Sequence, residues 1–300
     1  LVCPKSARRI QNGNRESNKM MPSYSGIISS RSKLKIFIME CMALLGFNKL
    51  ARLVTAHKPK IIMFHKVYSE GETDKYLDCL NVNLFEKLLI YCKKYYQFYT
   101  LGELVAFHHE HGVYPKYAVV LTFDDGFQSF YYLAYPLLKK YGVKASIFIC
   151  PGLIDKDNTL WPEVIFDAYE KGALELNSAE LMPLIDELKK LDQDQREQKM
   201  KALISDEYHY QEELADMNRA LMNWPQLREI NESGLVEIGS HALTHPILSR
   251  ETQEKVNTEM RLSKERIELE LDIKVVSFCY PNGQSEDYRE TEVIELKKCG

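Results

Sequence analysis

Short runs of β-branched and aromatic residues alternate with helical patterns along most of this chain, starting near residue 55. The runs that predict strands are Lys60 to His65, Ala118 to Phe123, Lys144 to Cys150, Val236 to Ser240 and Lys274 to Cys279, with a weaker one at Tyr96 to Thr100. The segments with helical periodicity are Leu84 to Tyr95, Leu101 to Glu110, Phe127 to Tyr141, Glu251 to Leu271 and Asp287 to Lys298. This alternation predicts a parallel sheet covered by helices.

The number of predicted strands helps to distinguish a (β/α) barrel from a doubly wound parallel sheet. About six are predicted, a further one is expected just beyond Gly300, and there is no Gly-rich phosphate loop. We therefore predict an α/β fold, a distorted (β/α) barrel of about seven strands rather than a doubly wound sheet. The strand count leaves open a truncation at the C-terminal end. Between about residues 155 and 233 the alternation stops, and the charge-rich stretch Ala179 to Arg219 predicts a helical insertion.

The first 54 residues have a different composition from the rest. Residues 1–30 are rich in Ser, Asn, Arg and Gly, which predicts disorder. The apolar stretch Ile36 to Phe47 contains Glu40 and falls short of the roughly 20 apolar residues that a membrane-spanning helix needs. We assign residues 1–54 to a disordered segment that can include an amphipathic helix, and residues 55–300 to the folded domain. No transmembrane span is predicted.

Charge and cysteine content narrow the range of partners and compartments. Lys and Arg number 39 against 43 Asp and Glu, for a formal net charge of -4, so no basic field points to nucleic acid. The seven cysteines are scattered and form no CxxC pair. Unpaired cysteines and the lack of a clean signal peptide favour a cytoplasmic or membrane-peripheral location.

Two strands end in residues that can carry chemistry. The strand Ala118 to Phe123 ends in Asp124, Asp125 and Gly126, and two adjacent buried carboxylates are costly unless an ion or a proton compensates them. The alternative is a polar turn with no function. The strand Val236 to Ser240 ends in His241, with His245 four residues later.

Those two histidines lie on one face if a helical turn begins at the first of them. Alone, such a pair is more often structural. Beside a carboxylate from another strand end, it completes a two-His, one-carboxylate face that leaves metal positions open. Two further strand ends reach the same rim: His65 follows Ile61 to Phe64, and a turn runs from Phe278 to Gly283. Taken alone, His65 would be a core histidine whose hydrogen bonds are made within the protein, and the turn would have no function.

The motifs TFDDG, SHxxTHPxL and FxYPxG, in that order, resemble the polysaccharide deacetylase family with its NodB-homology domain, over roughly His65 to Gly300. The resemblance implies a carbohydrate substrate and one divalent metal ion, zinc before cobalt or nickel. It implies that Asp124 is the general base. It also implies that Asp125, His241 and His245 hold the metal.

The early FHK element resembles the F/YHxV start of a subset that includes poly-N-acetylglucosamine deacetylases, which implies that His65 is the general acid. Alternatively, an acid histidine lies beyond Gly300, and His65 is then structural. The family's RxPY motif is altered here, with Cys279 in place of Arg, so the role of an Arg that orients the base is in doubt. Asn282 replaces the Tyr; with Tyr280 and Pro281 it forms the substrate-facing turn, and its backbone N–H is the implied oxyanion donor.

These features together predict a metal-dependent hydrolase that removes N-acetyl groups from an N-acetylated sugar or polysaccharide. Two alternatives stay open. The same site could act on an O-acetyl ester or another small amide, because it recognises an acetyl carbonyl before a particular sugar. The barrel could also bind glycan without catalysis.

Overall fold

The computed structural model describes residues 47–70, 80–154, 156, 159–209 and 217–299. The disorder predicted for residues 1–30 lies outside these ranges, as does the predicted amphipathic helix apart from Phe47. The described chain begins with helix α1 (Phe47–Val54), on which Leu50 and Leu53 are exposed. In the part of the chain that the structure describes, no helix has both the length and the apolar character to cross a membrane.

Parallel strands form the centre of the molecule. The described strands are β1 (Lys60–Phe64), β2 (Val67–Tyr68), β3 (Leu80–Asn81), β4 (Gln97–Phe98), β5 (Ala118–Phe123), β6 (Ala145–Ile149) and β7 (Val236–Ser240). The main sheet has the order β1-β5-β6-β7, and β4 pairs with the start of β5. Strands β2 and β3 form a separate parallel pair. The predicted α/β fold with a parallel sheet is confirmed.

Strands β5 and β6 are buried along their whole length, as expected for apolar runs covered on both faces. The predicted strand Lys274 to Cys279 is reduced to one parallel bridge between Ser240 and Phe278, which extends the sheet beyond β7. Within the described strands, backbone hydrogen bonds do not close the sheet into a barrel.

Helices cover the sheet and follow the predicted segments closely. The remaining helices are α2 (Val82–Tyr95), α3 (Leu101–His111), α4 (Tyr135–Tyr141), α5 (Trp161–Glu170), α6 (Ser178–Leu188), α7 (Gln193–Leu203), α8 (Trp224–Glu232), α9 (Gln253–Leu271) and α10 (Glu290–Cys299). Helix α3 begins with a capping box between Thr100 and Glu103 and ends at Gly112, whose φ of 70° favours glycine.

The single helix predicted from Phe127 to Tyr141 contains a change of helix type in its first half. A π-helical turn, Phe130–Ala134, precedes α4, and the backbone N–H of Tyr135 donates to the carbonyl of Phe130. Pro136 has no N–H to continue an α-helical ladder, and this accounts for a local change of register.

The insertion between β6 and β7 has its own apolar core. Helices α5, α6 and α7 pack around Ile165, Leu181, Ile185 and Leu188, all of which are buried. Helix α8 differs, because its Trp224, Leu227 and Ile230 side chains join the main core beneath the sheet. The insertion therefore packs as a helical layer that is joined to the main core through α8.

A buried ion pair ties this insertion to the end of β1. Lys66, just after the strand, lies with its Nζ 2.5 Å from Oε1 of Glu163 on α5, and both side chains are almost fully buried. The Lys66 ammonium also lies 4.4 Å from the centre of the Phe127 ring. Arg219 approaches the other Glu163 oxygen at 3.7 Å. Burial raises the pKa of Glu163, and the charge of Lys66 opposes this effect.

We expect Glu163→Gln to lower the free energy of unfolding by about 3 to 5 kcal/mol, because it leaves a buried ammonium without its counter-charge. Urea denaturation followed by circular dichroism measures the change. The matched control is Glu265→Gln, which removes an exposed partner of Arg261 and should have a much smaller effect. Equal effects of the two variants would contradict a structural role for the buried pair.

Candidate active site

The two adjacent aspartates stand at the C-terminal end of β5. The backbone N–H of Asp124 donates to the carbonyl of Phe64 at 2.9 Å, which fixes the end of β5 against β1. The chain then turns sharply, with φ of 74° at Asp125 and 81° at Gly126. A Cβ at Gly126 would lie 3.0 Å from a methyl carbon of Ile149, so the turn requires glycine there. Both carboxylates are buried.

An aromatic cluster supports this end of the sheet. The rings of Phe64 and Phe123 stack with centroids 5.0 Å apart, and Phe130 packs edge-on against Phe123 at 4.7 Å. Phe85 completes the cluster from helix α2. The last residues of β1 and β5 are therefore held by side-chain packing directly beneath the carboxylates.

The two histidines converge, although not through a helical turn. The chain from His241 to His245 is an irregular loop, and Ala242 and His245 have φ of 63° and 62°. The helical spacing that we expected is therefore wrong, because left-handed residues bend the chain back more tightly. The result still places Nε2 of each histidine 3.4 Å from Oδ1 of Asp125.

These distances fit a metal ion better than they fit hydrogen bonds. A separation of 3.4 Å is long for a hydrogen bond between nitrogen and oxygen, and Oδ1 of Asp125 has no hydrogen-bond partner among the described residues. Ligand atoms about 2.0 to 2.2 Å from a tetrahedral ion lie about 3.4 Å apart. Nδ1 of His241 lies 2.8 Å from the carbonyl of Cys279, which leaves Nε2 free to coordinate. Asp125, His241 and His245 thus suit a divalent ion.

The histidine loop is held by a buried carboxylate that sequence analysis missed. One oxygen of Glu259, on α9, accepts the backbone N–H groups of Leu243 and Thr244 at 2.8 and 2.9 Å, and the other accepts the Thr244 hydroxyl at 2.7 Å. The signal was present, since Glu259 lies in the buried stripe of α9 with Val256, Met260, Ser263 and Ile267. A carboxylate in such a stripe needs partners.

Burial and neighbouring charges act in opposite directions on the carboxylates. Burial would raise the pKa of Asp125, but His241 and His245 outweigh it and hold that pKa well below its ordinary value. Burial raises the pKa of Asp124; the charge of His241 opposes the rise, and the adjacent charge of Asp125 adds to it. Burial lowers the pKa of His245, whereas Asp125 outweighs burial at His241 and raises its pKa.

Two further groups approach Asp124. Burial is the largest influence on the pKa of Asp124 and raises it, whereas His65, which is exposed just after β1, acts to lower it. Sγ of Cys279 lies 3.6 Å from Oδ2 of Asp124. The thiol therefore occupies the surroundings of the carboxylate where the family motif has an arginine.

The turn after Phe278 has one part facing solvent and one part packed inward. Asn282 is exposed, with φ of 66°, and its Nδ2 donates to Asp287 at 2.7 Å. The Tyr280 ring instead stacks on Tyr288 with centroids 4.4 Å apart, and burial raises the pKa of Tyr280 to about 12. Pro281 is buried. The Tyr280 ring is thus engaged in packing, while Asn282 stays at the surface.

Comparison with known proteins identifies the family. The polysaccharide deacetylase model matches residues 111–298, more than half of the chain. This chain belongs to the polysaccharide deacetylase family. The resemblance seen in the motifs is confirmed, while membership of the subset with the F/YHxV start stays a prediction, because His65 lies outside the matched residues.

Similar proteins include deacetylases of known structure. The deacetylase PplD of Streptococcus pyogenes is 24% identical, with 82% of this chain and 81% of that chain covered and a TM-score of 0.54. A de-N-acetylase from Aggregatibacter actinomycetemcomitans is 18% identical, with 81% and 85% covered and a TM-score of 0.54. At these identities the likeness concerns the fold.

A match to curated sequences is shorter. A poly-beta-1,6-N-acetyl-D-glucosamine N-deacetylase of Staphylococcus aureus is 39% identical over 62 residues, which are 21% of this chain and 21% of that protein. The matched segment thus spans about a fifth of the length of this relative.

We expect Glu259→Gln to weaken binding of zinc by about 10- to 100-fold, because the amide keeps only one acceptor oxygen for the two backbone N–H groups and replaces the oxygen that accepts the Thr244 hydroxyl by a donor. Competition with a chromophoric chelator measures the affinity. The control is Glu254→Gln, at an exposed position of the same helix. Unchanged zinc affinity in the Glu259 variant would show that the loop keeps its shape without this carboxylate.

Proposed function

We propose that this protein is a metal-dependent hydrolase that removes N-acetyl groups from an N-acetylated sugar or polysaccharide. The observation that carries the proposal is the convergence of Asp125, His241 and His245 on one point, directly beside the second buried carboxylate of Asp124. Membership of the polysaccharide deacetylase family supports the carbohydrate substrate. Similar proteins that are N-deacetylases support removal of an N-acetyl group.

The ligand set favours zinc. Two imidazoles and one carboxylate are ligands that zinc accepts, and three protein ligands leave a position open for water or substrate. When bound there, the ion supplies Lewis acidity that polarises the acetyl carbonyl and lowers the pKa of water from about 15.7 toward about 7.

Asp124 is the proposed general base. Its Oδ1 is buried and has no hydrogen-bond partner among the residues described, so this oxygen can accept a proton from the attacking water. Burial raises the pKa of Asp124, and a higher pKa makes the carboxylate a stronger base. The Asp125 carboxylate, whose pKa is held low, stays ionised and suited to ligation.

Protonation of the leaving amine and stabilisation of the oxyanion are assigned to His65 and to the backbone of Asn282. His65 follows β1 and acts on the charge of Asp124, so we assign it the proton that the departing sugar amine requires. The backbone N–H of Asn282 is the proposed donor to the developing oxyanion, a contact commonly worth about 3 kcal/mol. Water thus adds across the amide, and acetate and a free amino sugar leave.

We expect Asp124→Asn to lower kcat/KM for acetate release from N-acetylglucosamine oligomers by about 10²- to 10⁴-fold, because the amide cannot take the water's proton. Zinc content, measured by atomic absorption, should not change. Treatment of the unaltered protein with a chelator should also abolish release, and added zinc should restore it. A zinc-loaded protein that releases no acetate from these oligomers, but does so from O-acetylated sugars, would contradict N-deacetylation.

Substitution of His65 tests its role through the leaving group. We expect His65→Ala to lower turnover of N-acetylated oligomers by about 100-fold, because the amine must be protonated as it departs. Hydrolysis of 4-nitrophenyl acetate should change little, since nitrophenolate leaves without a proton. Asp124→Asn is the control and should slow both reactions. Equal losses on both substrates, or no loss on either, would remove His65 from the acid role.

A further inference from the structure

The site contains a thiol that the proposed mechanism does not use. Cys279 is partly buried, and its Sγ lies 3.6 Å from Oδ2 of Asp124. The carbonyl of the same residue accepts from His241 at 2.8 Å, so the loop that carries the thiol is fixed against a metal-ligand candidate. The family motif has an arginine at this position, which could not ligate a cation.

Cys279 completes a second group of ligand atoms. Asp124, His241 and Cys279 each offer one such atom, and the three atoms all lie within 4.8 Å of one another. Within the described part of the chain, Oδ1 of Asp124 has no hydrogen-bond partner although this residue is only 4% exposed. A buried carboxylate oxygen without a donor indicates that a cation or a proton compensates it.

The distance between the thiol and the carboxylate suits coordination. A tetrahedral ion with a bond of about 2.3 Å to sulfur and about 2.1 Å to oxygen holds these two atoms about 3.6 Å apart. The observed separation of Sγ and Oδ2 is 3.6 Å, so the thiol that donates a hydrogen bond to Oδ2 already has the spacing at which both atoms can ligate one ion. Thiolate, imidazole and carboxylate together favour zinc and softer ions over magnesium or calcium.

We propose that Asp124, His241 and Cys279 form an alternative binding site for a thiophilic divalent ion, such as cadmium or cobalt. Ligation removes the proton of the Cys279 thiol, which passes to solvent, and engages the carboxylate that the proposed function uses as its base. Because His241 belongs to both groups, only one of the two positions can be filled at a time. The consequence for activity rests on the proposed function: an ion in the alternative site is inhibitory.

Cobalt reports thiolate ligation without requiring turnover. We expect metal-free protein titrated with Co²⁺ to develop a near-ultraviolet thiolate-to-cobalt charge-transfer band, and Cys279→Ser to lose it. Cys150→Ser is the matched control, because the buried Cys150 thiol lies close by and contacts the carbonyl of His241 at 3.2 Å. This variant should keep the band.

A third variant separates the two ligand groups. His245→Ala removes a ligand of the first group only, so the band should persist in it while any acetate release is lost. Absence of the band in the unaltered protein, or its survival in Cys279→Ser, would overturn the proposal. A band that disappears in His245→Ala would place the thiol on the first ion and would also overturn it. Failure to release acetate bears on the proposed function alone, because the band does not depend on catalysis.

Discussion

The site depends on the burial of two adjacent carboxylates at the end of one strand. Asp124 and Asp125 are 4% and 8% exposed, and two buried negative charges are costly unless positive charge compensates them. At Asp125, the surrounding structure places His241 and His245 beside the carboxylate, and together they outweigh burial and lower the pKa of this carboxyl. The pKa of Asp124 is instead raised, and this difference supports the proposed roles of Asp125 as a metal ligand and Asp124 as the general base.

The supporting structure holds these groups in conformations that most residues avoid. Asp125, His245 and Asn282 all have φ between 60° and 80°, and such backbone costs of order 1 to 3 kcal/mol at each residue. It persists because the neighbouring contacts outweigh it. Glu259 holds the loop between the two histidines with three hydrogen bonds, and the Phe64 and Phe123 rings fix the strand ends beneath.

Cys279 stands where the motif resemblance implies an arginine, and this changes the surroundings of the proposed base, Asp124. An arginine beside Asp124 would add a fixed positive charge and would lower the pKa of the carboxyl. The Cys279 thiol adds only a weak hydrogen-bond donor, which lowers that pKa less than burial raises it. The Asp124 carboxylate is therefore more basic than it would be beside an arginine. The Cys279 thiol also offers a ligand to a cation at a position where an arginine would repel it.

The sequence alone determined the order of strands and helices and the residues at the strand ends. Strands β5 and β7 were predicted with their correct bounds, because short runs that contain β-branched residues are local signals that the sequence displays directly. The motifs at Asp124 and His241 identified the family because they too are short stretches of consecutive residues.

Tertiary structure alone decided which side chains meet: Asp125 with His241 and His245 at 3.4 Å, the Cys279 thiol with Asp124, and Glu259 with the histidine loop. The spacing of apolar residues reports only the local backbone and its buried face, whereas these contacts join residues that are far apart in the chain. They also depend on left-handed turns at Asp125, Ala242 and His245. None of these residue types requires a left-handed backbone, so the sequence did not predict the turns.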